Sequence, residues 1–139
     1  MTPAPPAGKV RVRIERDADV VTARQEGRTL AVLVGFSSGD ATIVATVISE
    51  LARNIVLYAK TGEIVMTLLA EQGGRRGLEI TARDQGGGIR NVERVLRRGY
   101  STSGGLGLGL PGVRRMMDEF DLVSESGKGT VVTVKKWRR

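Results

Sequence analysis

Val44-Ala45-Thr46-Val47-Ile48-Ser49-Glu50-Leu51-Ala52-Arg53-Asn54-Ile55-Val56-Leu57-Tyr58 carries apolar side chains at helical spacing. At 3.6 residues per turn, Val44, Val47, Ile48, Leu51, Ile55 and Tyr58 fall on one arc, so a long helix is expected over residues 40–59. Glu50 and Asn54 are four apart and share a face. They sit at the rim of the arc, roughly 60–90° from its centre. An amide oxygen is a hard ligand for Mg²⁺, and a carboxylate can orient or deprotonate a hydroxyl. Such a pair on a half-buried edge can serve a metal-bound phosphate. Taken alone, an ordinary polar helix boundary accounts for it more readily.

Two glycine-rich segments follow. Asp84-Gln85-Gly86-Gly87-Gly88 comes directly after a strand expected over residues 77–83. Glycines let backbone approach a flat ligand with no Cβ in the way. A carboxylate at the strand end can accept a hydrogen bond from an exocyclic amine. A plain Asp/Gly turn is the simpler alternative. The second segment is Gly99-Tyr-Ser-Thr-Ser-Gly-Gly-Leu-Gly-Leu-Gly109, followed by Leu110-Pro111. Pro111 suits a first helical turn, and a helix is expected over residues 110–120. Successive N–H groups feeding a helix N-terminus make an anion site. The segment lacks the Lys-Ser/Thr of a Walker A loop, and no βαβ unit surrounds it.

Around these motifs, residues 9–16 alternate apolar and charged side chains, as a strand with one wet face does. Asp17 or Asp19 is placed to cap a helix running to Val34, and residues 35–39 form a break. Residues 63–70 and 77–83 read as strands joined by Gln72-Gly73-Gly74-Arg75. Residues 91–97 read as a short helix. Residues 121–126 and 130–137 read as strands around Gly127-Lys128-Gly129. The order β-α-α-β-β-α-loop-α-β-β excludes a doubly wound parallel sheet. It predicts an α+β two-layer sandwich, a mixed sheet with helices on one face. Arg11, Arg13 and Lys135 would lie on the opposite face, open to water or a partner.

The 139 residues are one domain's worth: a lead-in at residues 1–8, expected to be disordered, and a domain over residues 9–139. Cysteine and histidine are both absent, which excludes disulfides, thiolate or imidazole metal sites, Cys nucleophiles and Ser-His-Asp triads. Aromatics are 4%, so the core must be aliphatic. The net charge of +7 is uneven, with +1 in residues 1–70 and +6 in residues 71–139. That asymmetry suits an anionic ligand or partner, or simply solubility. No basic run is interleaved with aromatics, which speaks against single-stranded nucleic acid. No uninterrupted apolar run reaches membrane-span length and the start lacks a signal-peptide pattern, so a cytoplasmic protein with no membrane role is expected.

Together, and in this order, the three motifs resemble the Bergerat nucleotide-binding fold of the GHKL superfamily, over residues 10–137. Glu50-x-x-x-Asn54 matches the N box, Asp84-x-Gly86-x-Gly88 the first glycine box, and Gly105-x-Gly107-x-Gly109 the ATP lid. Ser49-Glu-Leu-Ala-Arg-Asn-Ile55, Val21-Thr-Ala-Arg-Gln25 and the Ser-Thr-Ser-Gly-Gly-Leu-Gly lid are similar to the RsbT-type serine/threonine switch kinases of the stressosome, relatives of the anti-sigma-factor kinases. Gly87 departs from the proline common there. The resemblance implies an ATP- and Mg²⁺-dependent kinase acting on STAS-domain proteins and also binding a PP2C-type phosphatase. The alternative is an anti-sigma factor that sequesters a sigma factor. It further implies Glu50 as general base and Asn54 as the Mg²⁺ ligand. Asp84, with Gly86 and Gly88, would read adenine, helped by Thr130 after Gly129. The lid segment Gly104, Gly105, Leu106, Gly107, Leu108 and Gly109 would wrap the phosphates. Arg53 is left open between a phosphate, a partner and a surface role. The intact Glu50–Asn54 pair argues against a nucleic-acid-binding domain.

Overall fold

The computed structural model describes residues 9–70, 73–86, 109–125 and 127–139. The lead-in at residues 1–8, the helix expected at 91–97, Gly88 and the lid up to Leu108 lie outside them. Strand β1 (Lys9–Ile14) leads into helix α1 (Asp17–Val34). Of the two candidate caps, Asp19 does the work: its Oδ2 accepts from the N–H groups of Glu15 and Arg16, at 2.8 and 3.1 Å. Gly35, at φ 92°, ends α1, a left-handed position that glycine occupies without Cβ strain. Ser37 then caps helix α2 (Ser38–Asn54) by accepting from the Asp40 N–H at 3.1 Å. The helix does not continue as an α-helix to residue 59. From Ile55 to Ala59 it widens into a π-helical turn, closed by Lys60 N–H to Ile55 O at 2.8 Å. Lys60 itself adopts φ 71°.

Strands β2 (Gly62–Ala70) and β3 (Arg76–Asp84) form a hairpin; Gly73 and Gly74 in its turn have positive φ. Helix α3 (Gly109–Met116) is shorter than the expected 110–120. The chain leaves it because Asp118 N–H bonds Lys135 O and Trp137 N–H bonds the Asp118 carboxylate, which draws residues 118–119 onto the sheet. Phe120 therefore belongs to strand β4 (Glu119–Glu125), which pairs with β5 (Gly129–Trp137).

The five strands run in the order β1-β2-β3-β5-β4, and every pairing is antiparallel. The expected two-layer α+β arrangement stands, but the sheet among the described residues is antiparallel throughout, not mixed. β2–β3 and β4–β5 are hairpins, α1 and α2 return the chain from β1 to pair antiparallel with β2, and β5 stands between the like-directed β3 and β4. One sheet face carries Val12, Ile14, Ile64, Met66, Leu78, Ile80, Val132 and Val134, and these form a single core with the buried side chains of α1, α2 and α3. The other face carries ion pairs joining Glu63 to Arg11 and Arg83, and Lys135 to Glu79.

The stretch Ser38–Ala59 is 22 residues, and its most apolar 18-residue window has a mean hydropathy of 1.3, enough by length and composition to cross a membrane although no uninterrupted apolar run is that long. Half of its most apolar window is buried inside the fold, where it forms the central core helix. Gly27 of α1 faces this helix, and a Cβ there would lie 2.1 Å from Ile48 Cδ1, so the buried Ile48 side chain would have to shift to admit one.

Candidate functional site

Helix α2 is buried on consecutive positions Val47, Ile48, Ser49, Glu50, Leu51 and Ala52, because α1, the sheet and α3 enclose it. This corrects the expectation for Glu50. It is 1% exposed, in the core rather than at its rim. A buried carboxylate must find donors, and one is Arg53, whose Nη1 stands 3.4 Å from Glu50 Oε1. Arg53 is thus no plain surface residue. Tyr58, assigned to the apolar arc, is 58% exposed. The π-helical turn rotates it off the phase that an α-helix would give it. Asn54 closes α2, half-buried, one turn beyond Glu50.

The π-helical turn carries the helix end onto the strand-end motif. Gly62, at the start of β2, is paired with Asp84 at the end of β3. A Cβ on Gly62 would lie 2.5 Å from Arg83 O and 2.8 Å from Ile55 Cγ2, so the residue after Asn54 packs directly on the Asp84 pair. A Cβ on Gly86 would lie 2.8 Å from Ala59 Cβ. Gly62 and Gly86 are close-approach residues. π-helical turns of this kind concentrate at functional sites.

Asp84 is half-buried. Its Oδ1 accepts from Gly86 N–H at 2.9 Å, which fixes the carboxylate and leaves the other oxygen as an acceptor. Thr130, named from sequence on slight grounds, is the direct cross-strand partner of Asp84. Gly129 before it has φ 97°, and a Cβ there would lie 2.2 Å from Asp84 O. Ser124 was missed. Its hydroxyl stands 2.8 Å from Thr130 Oγ1, so it orients Thr130. The signal was available, because Phe120, Leu122 and Ser124 alternate on one face of β4 and Ser124 is the polar break in that row.

The structure thus brings Asp84, Gly86 and Thr130 together and packs Ile55, the residue after Asn54, against them, while Glu50 lies one helical turn before Asn54 in the core. Gly109 is buried at the start of α3, with φ 53°. Gly88, Gly104, Gly105, Leu106, Gly107 and Leu108 lie outside the described residues. No group of three or more acidic, His or Cys side chains gathers among the described residues. Asn54 offers a divalent ion at this site one amide oxygen, leaving phosphate and water to fill other positions. That donor set fits Mg²⁺, which keeps waters and favours phosphate oxygens.

Residues 39–139 match the family model of histidine kinase-, DNA gyrase B- and HSP90-like ATPases. The chain is 52% identical over 128 residues to the serine/threonine-protein kinase RsbT of Bacillus subtilis (strain 168), covering 92% of this chain and 96% of that protein. It is 33% identical over 101 residues to an anti-sigma F factor of Halalkalibacterium halodurans, covering 70% and 69%. The fold is shared with the crystal structure of the RsbU and RsbW domains of a Mycobacterium tuberculosis protein, at a TM-score of 0.65 and 19% identity. That match covers 94% of this chain and 32% of the longer one.

Proposed function

The chain belongs to the family of histidine kinase-, DNA gyrase B- and HSP90-like ATPases, in its serine/threonine-kinase branch, and from that membership we propose that it phosphorylates STAS-domain partner proteins within a stressosome partner switch. We further propose that it binds a PP2C-type phosphatase and works in the cytoplasm, where ATP is supplied. The observation that carries the reading is the packing of Ile55 on the Gly62–Asp84 pair and of Ala59 on Gly86. It joins the Glu50–Asn54 helix to the strand-end carboxylate, so one nucleotide can reach both.

On this reading Asp84 accepts a hydrogen bond from the adenine amino group, and Thr130 lies beside it. The bare backbone at Gly86 leaves room for the flat base. Asn54 would hold Mg²⁺, which when bound neutralises phosphate charge. The lid segment from Gly104 to Gly109 would donate N–H groups to the phosphates, and α3 adds the positive end of its dipole. The acceptor hydroxyl oxygen attacks the γ-phosphorus, and the bond to the β–γ bridging oxygen breaks with its electron pair staying on ADP. Glu50 takes the hydroxyl proton late in the transfer. Positioning and electrostatics supply most of the acceleration, and a base adds about 10²–10⁴-fold. Arg53 orients the Glu50 carboxylate from 3.4 Å.

The similarity to anti-sigma F factors favours a second reading, in which the chain sequesters a sigma factor in a nucleotide-dependent complex. One variant separates the parts. Asn54→Asp keeps the helix and an oxygen but adds charge beside the phosphates. Transfer to a STAS partner in Mg-ATP should fall sharply while phosphatase binding, measured by co-sedimentation, persists. Unchanged transfer in Mg-ATP would reject Asn54 as the metal ligand.

A further inference from the structure

Arg13, Glu63 and Arg83 are direct cross-strand partners in one row across β1, β2 and β3. Strand alternation puts their side chains on the sheet face away from the helices, because the adjacent Ile14, Ile64 and Ala82 lie in the core. Arg11, two residues back along β1, shares that face. Glu63 spans the three strands: its Oε1 stands 3.6 Å from Arg11 Nε and its Oε2 3.6 Å from Arg83 Nη1. Charge-assisted N–H···O bonds are about 2.7–2.9 Å long, so Glu63 holds the two guanidiniums towards each other without using up their donors. The Arg11 and Arg83 side chains, 64% and 53% exposed, stay open to solvent. Arg13, also exposed, pairs with Glu15. Arg11, Arg13, Glu63 and Arg83 line a cleft of about 510 Å³ that reaches Asp84 and Gln85 at the end of β3.

We propose that this cleft docks an acidic, extended segment of a protein partner, held by Arg11, Arg13 and Arg83. Guanidinium forks match carboxylates bidentately. Neighbouring strands are about 4.8 Å apart, so β1 and β3 stand roughly 10 Å apart, and residues two or three apart in an extended chain span about 7–10 Å. Two carboxylates at that spacing reach the β1 arginines and Arg83 together. Among the described residues no aromatic side chain lines the cleft, so a nucleobase finds no stacking platform there. Glu63 at its centre works against a continuous run of phosphates. Asp84, the other carboxylate lining the cleft, is bonded through Oδ1 to Gly86 N–H. Basic residues on an edge strand commonly guard it against pairing, which accounts for Arg11 and Arg13 on β1. It does not account for Arg83, because β3 is paired on both sides. The cleft needs no nucleotide, so the proposal stands apart from the ATP-binding reading.

Fluorescence polarisation of a short labelled peptide alternating glutamate and threonine, added to the full chain without nucleotide, reads the docking directly. Binding should saturate, and the glutamine–threonine counterpart should not bind. Arg83→Ala and Arg11→Ala should each weaken the peptide about tenfold, or 1.4 kcal/mol. Arg83→Lys should restore only part of that loss, since it keeps the charge without the fork. Glu63→Gln removes the internal competitor and should tighten the peptide about threefold. Arg28→Ala, which removes an exposed charge from α1 on the other side of the sheet, should leave affinity unchanged. Thermal unfolding midpoints check that each variant is folded. No binding by the unaltered chain, weaker binding by Glu63→Gln, or a loss with Arg28→Ala equal to that with Arg83→Ala would overturn the proposal. So would Arg83-dependent binding of a single-stranded oligonucleotide, or of anionic lipid vesicles, in preference to the peptide.

Discussion

Gly129→Ala is a substitution that loads the Asp84 end of the candidate site heavily. Two costs combine. Gly129 has φ 97°, a conformation that costs an L-residue about 1–2 kcal/mol. Its new Cβ would also stand 2.2 Å from Asp84 O and 2.8 Å from Gln85 Cα. Both obstacles are backbone, so no rotamer change relieves them, and the β3–β5 ladder must open at the Asp84–Thr130 pair. Overpacking of this kind costs roughly 1–3 kcal/mol, for a total of about 2–5 kcal/mol. Gly127 is the internal control. It has φ 81°, and a Cβ there meets nothing within 4 Å, so Gly127→Ala carries the strain without the collision. At about 3–5 °C per kcal/mol for a domain of this size, Gly127→Ala should lower the midpoint of thermal unfolding by about 3–10 °C. Gly129→Ala should lower it by about 6–25 °C. Circular dichroism gives the midpoints, and calorimetry at a temperature where both variants are folded gives ATP affinity. Gly129→Ala should lose tenfold or more in affinity, about 1.4 kcal/mol, because Asp84 and Gln85 are displaced. Gly127→Ala should lose none. Equal midpoints and equal affinities for the two variants would refute the argument that Gly129 is there to admit the Asp84 backbone.

On the proposed adenine reading, Asp84→Asn turns one carboxylate oxygen into a donor facing the adenine amine. A buried mismatch costs about 1–3 kcal/mol, or roughly 5- to 150-fold in ATP affinity, and calorimetry showing no loss would remove Asp84 from the base site. Gly27→Ala gains helix propensity of about 1 kcal/mol but drives a Cβ to 2.1 Å from Ile48 Cδ1, so urea unfolding should show a net loss. Adding Ile48→Val, which removes that methyl, should recover part of it; no recovery would place the collision elsewhere. Ser124→Ala removes the hydroxyl beside Thr130 and should weaken ATP by a few-fold with little change in unfolding midpoint. An unchanged affinity would limit Ser124 to a structural role.

Much of the site was legible because its signals are local. Glu50 and Asn54 share a helix face by spacing alone, and Asp84 declares itself by ending a strand just before glycines. Pairing across the sheet is not local. Ser124 and Thr130 meet only through the β4–β5 register, and Thr130 meets Asp84 only because β5 inserts between β3 and β4. The burial of Glu50 was underestimated for a related reason. A helical wheel counts the helix's own apolar arc, whereas α1, α3 and the sheet enclose α2 from several sides. The π-helical turn left no mark in the sequence, since Ile55-Val-Leu-Tyr-Ala59 suits an α-helix equally well. The end of α3 was misjudged because Met117 and Phe120 continue a helical pattern, while the bonds from Asp118 to Lys135 and Trp137 that stop the helix come from residues nearly twenty positions away.

Single-turnover transfer from Mg-ATP to a saturating STAS-domain partner, by the unaltered chain and by Glu50→Gln, tests the central claim most directly. Intact-mass and fragment spectra of the partner locate the phosphoryl group. The account predicts one phosphoryl group on a serine or threonine. Glu50→Gln should slow its appearance by about 10²–10⁴-fold with ATP and partner affinities intact. A partner bound tightly but never phosphorylated by the unaltered chain, or a normal rate with Glu50→Gln, would contradict it.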